Sequence, residues 1–145
     1  MRAKPFLIFF FALVAGVAAV SIYINQTIRK TDKTVSAAAA PDGRYKAVKV
    51  TLARGGLKPF CFDSISVFLS VYPDSFAESE KIYEVYRAPC APPAARAVLP
   101  KMQWLSDSAL QIAYAPDPSA PAKEKPLMKP LDASKFVHVT FVVAK

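Results

Sequence analysis

Hydrophobic positions fall into one unbroken block and then into short alternating runs. Pro5 to Ile24 carries no charge, and 17 of its 20 residues are hydrophobic. A helix rises about 1.5 Å per residue, so about 20 residues cross a hydrocarbon layer of roughly 30 Å. Residues 25–40 mix charge with Ser36-Ala37-Ala38-Ala39-Ala40 and hold neither helical nor strand periodicity, so they read as a linker. A turn follows at Pro41-Asp42-Gly43, where glycine supplies a positive φ and Asp42 can bond the backbone two residues on. From there a period of two takes over. In Arg44 to Leu52, Val48, Val50 and Leu52 share one face while Ala47, Lys49 and Thr51 share the other. Gly55-Gly56 and Pro59 break this run.

The clearest strand is Ser64 to Tyr72. Ile65, Val67, Leu69 and Val71 point one way and Ser64, Ser66 and Ser70 the other, which predicts one buried and one wet face. Ile82 to Tyr86 is short and β-rich, and Pro89, Pro92 and Pro93 follow it. Lys101 to Leu105 and Ala109 to Tyr114 flank Ser106-Asp107-Ser108 as a hairpin with a three-residue loop, and Phe136 to Val143 is the last strand. Between Ala115 and Ser134, Pro116, Pro118, Pro121, Pro126 and Pro130 stand among Lys123, Glu124, Lys125 and Lys129, a pattern for an extended loop of the kind that is often functional. The expectation is all-β: a short N-terminus (1–4), a single transmembrane helix (5–24), a linker (25–40), and a small antiparallel sheet or sandwich of about six strands (41–145) with a Pro-rich loop over 115–134.

Composition sharpens this picture. The chain has 145 residues, 53% hydrophobic, with a net charge of +8. The hydrophobic surplus belongs to the Pro5–Ile24 block, and the length excludes a two-domain enzyme or a multi-span transporter. Residues 41–115 and 116–145 each carry a net +2. The remaining excess, Arg2, Lys4, Arg29, Lys30 and Lys33, flanks the apolar block, where each cation near anionic head groups is worth about 1 kcal/mol. A nucleic-acid binder would gather its cations on one face, and this chain does not.

The block is longer than the roughly 7 to 15 residues of a signal-peptide core, and the Ala-x-Ala at Ala37 to Ala40 lies far beyond it. An uncleaved signal anchor is therefore favoured over a cleaved signal. Flanking charge does not settle orientation. Cys61 and Cys90, the only two cysteines, favour a disulfide in an exported domain over two buried thiols. The expected location is the bacterial inner membrane, with the C-terminal domain in the periplasm or another extracytoplasmic space.

The order of Pro41-Asp42-Gly43-Arg44-Tyr45-Lys46-Ala47-Val48, then Gly55-Gly56, then the Ser66-Val67 strand, then Trp104-Leu105-Ser106-Asp107-Ser108 and a closing Val-x-Val strand resembles a family of small bacterial membrane-anchored exported β-domain proteins of unknown function. The Pro-Asp-Gly-x-Tyr and Trp-x-Ser-Asp pieces also look like strand starts of TolB-type β-propeller blades, but about one hundred residues are too few for several blades. The resemblance covers most of residues 41–143, departs from the family pattern between Ser75 and Arg96, and implies place and fold rather than an activity.

Candidate chemistry is sparse. His138 alternates with valines and has no ligand motif around it. Cys61 and Cys90 lack the Cys-x-x-Cys spacing and βαβ context of a thioredoxin-like pair. Ser64, Ser66 and Ser70 have no Gly-x-Ser-x-Gly elbow. Asp74, Glu78, Glu80 and Glu84 form the one acidic cluster, without the ligand rhythm of a calcium loop. Trp104 and Tyr45, Tyr72, Tyr83, Tyr86 and Tyr114 read first as core and cross-strand pairs and secondly as a ligand groove.

The resulting expectation is a membrane-tethered, non-enzymatic binding or interaction module. It has no catalytic, cofactor-binding or metal-binding residue, carries the disulfide Cys61–Cys90, and is held by the lipid bilayer. Its partner would be another envelope protein, met through an exposed sheet edge or the Pro-rich loop. The alternative is an envelope hydrolase or small-ligand sensor using Glu78, Glu80 and Glu84.

Overall fold

The computed structural model describes residues 3–28, 31–56, 59–116 and 125–144. Arg2, Arg29 and Lys30 of the flanking cations, and Pro118, Pro121, Lys123 and Glu124 of the Pro-rich segment, lie outside the described residues. The chain divides into two units, one of residues 1–31 and 54–59 and one of residues 32–53 and 60–145.

The first unit is built around α1, Ala3–Ile28. Pro5 sits in its opening turn, where the missing N–H costs no intrahelical bond. Every described side chain of α1, residues 10–25, is exposed, with Phe11 at 65% and Tyr23 at 71%. Among the described residues no helix is long and apolar enough to cross a membrane. The sixteen residues of α1 with described side chains span only about 24 Å at 1.5 Å per residue.

The second unit is a two-sheet sandwich. Its strands are β1 (Thr31–Ala39), β2 (Tyr45–Arg54), β3 (Phe60–Leu69), β4 (Glu84–Pro89), β5 (Lys101–Ser106), β6 (Ala109–Tyr114), β7 (Leu127–Met128) and β8 (His138–Val143), with α2 (Phe76–Ser79) and a 3₁₀ turn (Lys81–Tyr83) between β3 and β4. One sheet runs β1-β2-β3-β4-β7 and the other β5-β6-β8. The segment expected as a linker is therefore mostly regular structure: most of 25–40 is the end of α1 and the edge strand β1. A backbone ladder to β2, reached through a turn in which Ala40 N–H bonds Tyr45 O at 2.8 Å, orders a segment whose side chains carry no pattern.

The core lies between the sheets. Tyr45 and Ala47 of β2, Ile65 and Val67 of β3, and Val85, Tyr86 and Ala88 of β4 meet Leu110 and Ile112 of β6 and Val139 of β8. Val85 and Tyr86 both join this core because the β3–β4 register slips between Ile65 and Ser66, opposing Tyr86 to Ile65 and Glu84 to Ser66.

The serine face of β3 is not wet. Val48, Val50, Phe68 and Ala77 form a second buried cluster, with Phe76 and Tyr83 packed against it. The segment after β3 folds back as α2 and the 3₁₀ turn to cover that face, so Ser66 is 1% exposed. Both faces of β2 and β3 are thus buried, while Val71, expected in the strand, lies beyond its end at 84% exposure.

The β3–β4, β4–β7 and β5–β6 pairings are antiparallel, but β8 runs parallel to β6, from Ala109 opposite His138 to Tyr114 opposite Val143. After Tyr114 the chain crosses to the other sheet, places β7 beside β4, and returns to begin β8 level with the start of β6. A crossover of a dozen residues or more is what parallel pairing requires. The Pro-rich segment is thus partly a strand. The hairpin turn holds only Asp107 and Ser108, with a register shift between Trp104 and Ser106.

The two turn motifs that carry the family resemblance meet. Asp107 Oδ1 accepts the Asp42 N–H at 3.0 Å, and Asp42 Oδ1 accepts the Arg44 N–H at 2.9 Å. Trp104 Nε1 donates to Ala38 O at 2.9 Å. The motif residues act as ties between turns and strands.

Candidate functional site

A cleft of about 260 Å³ opens where β2 begins and β3 ends, lined by Tyr45, Phe68, Leu69, Tyr72, Ile82, Tyr83 and residues 132–134. Its aromatic wall is a connected set. Phe68 meets Phe76 and Tyr83 edge to face at 5.5 and 6.1 Å, and Tyr72 stacks on Phe76 at 4.7 Å. Such offset and edge contacts complement the ring quadrupoles and fix the rings in place. Lys46 Nζ sits 5.5 Å from the Phe68 centroid and pairs with Asp74 at 2.6 Å.

The polar wall is a turn held by one carboxylate. Asp132 is 4% exposed; its Oδ1 accepts Val137 N–H at 2.8 Å, and its Oδ2 accepts both the Ser134 N–H at 3.0 Å and the Ser134 hydroxyl at 2.5 Å. Tyr45 OH and Ser134 Oγ share a hydrogen bond of 3.1 Å. Tyr45 stacks on Phe136 at 5.4 Å, with Arg44 over both rings. A buried carboxylate with three donors is stable where it is, and these polar groups are occupied with one another. The cleft therefore offers shape and aromatic surface, with Tyr72 39% and Ile82 65% exposed at its rim.

The structure does not gather the acidic cluster. Glu78 pairs with Lys33 at 3.0 Å, Glu84 is buried on β4 and pairs with Arg87 at 2.8 Å, Asp74 is held by Lys46, and Glu80 is exposed. Lys33, read from sequence as a cation at the lipid surface, is thus engaged by Glu78. Among the described residues no three His, Cys, Asp or Glu side chains are grouped to hold a metal ion. His138 is exposed at the start of β8. Of the aromatic candidates, Tyr45, Tyr72 and Tyr83 line the cleft, while Tyr86, Tyr114 and Trp104 pack with the inter-sheet core.

Cys61 and Cys90 are joined as a disulfide across β3 and the end of β4, with Cα atoms 5.3 Å apart. Two residues along β3 lies Asp63, which sequence reasoning missed. It is 2% exposed, Thr51 Oγ1 donates to its Oδ1 at 2.5 Å, and its Oδ2 has no hydrogen-bond partner among the described residues. Burial pushes its carboxyl above the ordinary 3.8, against the Thr51 hydrogen bond and the charges of Lys49 and Arg96. Burial also raises the Tyr86 phenol, reinforced by Asp63 and Tyr114. A lone Asp in an otherwise alternating strand is the one signal in the sequence that pointed here. No protein-family model matches the chain, and no curated protein or solved structure matches it either.

Proposed function

We propose that this chain is a membrane-tethered binding module held outside the cytoplasm, with α1 as a single-pass signal anchor and the sandwich in the periplasm or an equivalent space. The uncharged run Pro5–Ile24 supports the tether, as does the exposure of every described side chain of α1, an apolar surface that lipid accommodates far better than water. The disulfide Cys61–Cys90 supports the compartment, because such bonds persist where the medium is oxidising. The motif order that resembles the exported β-domain family supports the same placement.

The binding role rests on one observation: a cleft of about 260 Å³ whose aromatic wall is open at Tyr72 while its polar groups are tied up with one another. Such a wall contributes contact area in place of reacting groups. The partner is an envelope protein that seats an apolar or aromatic side chain in the cleft; the bilayer is engaged by α1, and nucleic acid is not a partner.

The test compares crosslinked membranes carrying the full-length wild type, a Tyr72→Ala/Tyr83→Ala variant, and a Val71→Ser variant altered outside the cleft. The reading requires a protein captured by wild type and Val71→Ser and lost, by about tenfold or more, from the cleft variant. Equal capture by all three removes the cleft from the function.

A further inference from the structure

The inter-strand cystine and the buried acid beside it form a second constellation, separate from the cleft. Cys61 is bonded to Cys90, and two residue pairs along the same strands, past Phe62 opposite Pro89, Asp63 opposes Ala88. Successive pairs alternate faces and positions two apart share one, so Asp63 lies on the same face as the cystine, about 7 Å along the strand. Ala88 presents only a methyl group across from the carboxyl. The two sulfurs differ in access, because Cys61 is half-buried and Cys90 is 4% exposed. Asp63 Oδ2 is buried with no hydrogen-bond partner among the described residues, and a buried carboxylate oxygen without a donor asks for a reason.

We propose that Cys61–Cys90 and Asp63 form a thiol–disulfide exchange site that oxidises a dithiol on a partner protein, with Cys61 Sγ as the sulfur attacked and Asp63 as the acid that protonates the departing Cys90 sulfur. The partner's thiolate forms a bond to Cys61 Sγ as the Cys61–Cys90 bond breaks, and the electron pair of that bond leaves on Cys90. The Asp63 carboxyl passes its proton to the Cys90 thiolate, directly or through one water, and the carboxylate so formed faces the positive charges of Lys49 and Arg96. The partner's second thiol then attacks the mixed disulfide. It releases Cys61 as a thiolate, which takes the proton that thiol gives up. The cystine is reduced by two electrons to two thiols, and the dithiol is oxidised to a disulfide.

Access and burial favour this direction of attack. Cys61 is the more exposed of the two residues, whereas a thiolate expelled at the buried Cys90 needs a proton to be stable there. The groups around the acid are Thr51 and Lys49 on β2, Tyr86 on β4 and Arg96 in the segment that follows Cys90. Burial, which holds the Asp63 carboxyl above its ordinary range, keeps its proton available toward higher pH.

The test uses the oxidised full-length protein with dithiothreitol as the dithiol, following free thiols by alkylation and mass, with the fold checked by near-ultraviolet circular dichroism. Rates are expressed per dithiothreitol thiolate between pH 5 and 9. The wild type is expected to be reduced without unfolding, at a rate that falls as pH rises through the Asp63 transition. Asp63→Asn should lose that pH dependence and react about 100-fold more slowly at the acid end. Thr51→Val removes the bond that holds the carboxyl down, so it should move the transition to higher pH. It serves as the second arm if Asp63→Asn does not fold. In single-cysteine variants, Cys90→Ser should form an adduct at Cys61 with a small disulfide reagent, and Cys61→Ser should leave Cys90 unreactive. A cystine reducible only in denaturant overturns the proposal, as does an unaltered profile in Asp63→Asn or Thr51→Val, or a Cys90 as reactive as Cys61.

Discussion

At the start of β3, Cys61 is tied covalently to Cys90 and Asp63 is buried with one oxygen unmet; at its end, Phe68 sits in a cage of rings beneath α2 and the cleft. The same ten-residue strand is held by a crosslink and a polar network at one end and by aromatic packing at the other. The first end constrains the unfolded chain and tolerates a poorly satisfied group because the backbone is pinned. The second depends wholly on shape, and its free energy comes from area removed from water. A crosslinked end can hold reactive groups, whereas a packed end can hold a surface.

The comparison can be broken from either side. Phe68→Ala empties the centre of the second cluster and should cost about 3–5 kcal/mol, read as a lower urea midpoint with loss of the near-ultraviolet aromatic signal. Replacing Cys61 and Cys90 by serine opens a loop with a sequence separation of 29 and should cost about 3.5 kcal/mol in the chain-entropy account. The cleft rings should keep their circular dichroism in that variant if the two ends are independent, and lose it if they are not.

The Asp63 end also carries a pH signature. Its folded carboxyl titrates above the ordinary 3.8, so the folded state holds the proton more tightly. The associated stability is complete below that ordinary value and is lost as pH rises through the folded one. Thermal midpoints of the wild type should decline over that window, and Asp63→Asn should not share the decline.

Two smaller effects sharpen the contrast. The Ser66 hydroxyl is buried without a partner, so Ser66→Ala should be neutral or stabilising by up to about 1 kcal/mol in urea unfolding. Glu78→Gln removes a pair with Lys33 that is 36% and 47% exposed, and should change stability by no more than about 0.5 kcal/mol.

Much of the strand inventory was readable from alternation: β2, β3, β5, β6 and β8 each contain a run of period two. The two cysteines were readable as a pair because no others compete. β1 was not, because Thr31–Ala39 makes a strand through its backbone while its side chains carry no pattern. The wet serine face was misread for a related reason. Ser66 alternates as a solvent residue would, but Phe68 on the same face needed a cover, and Phe76 and Tyr83 supply it from the next segment. Of the cleft, the tyrosines could be named as a possible groove, whereas Asp132 and Ser134 are brought there by a turn some sixty residues away in the chain from Phe68.

What the sequence determined by itself is local: an uncharged apolar block, the faces of the alternating strands, the turn at Pro41-Asp42-Gly43 and the presence of one possible disulfide. These follow from side-chain periodicity and backbone preference within a few residues. The tertiary structure alone decided that β3 is buried on both faces, that β8 runs parallel to β6, that rings from β2, β3 and the 3₁₀ turn meet around a cleft, and that Asp63 lies beside the cystine with an oxygen unmet. Each of those depends on a partner distant in sequence, because burial and hydrogen bonding are settled by what the folded chain brings close.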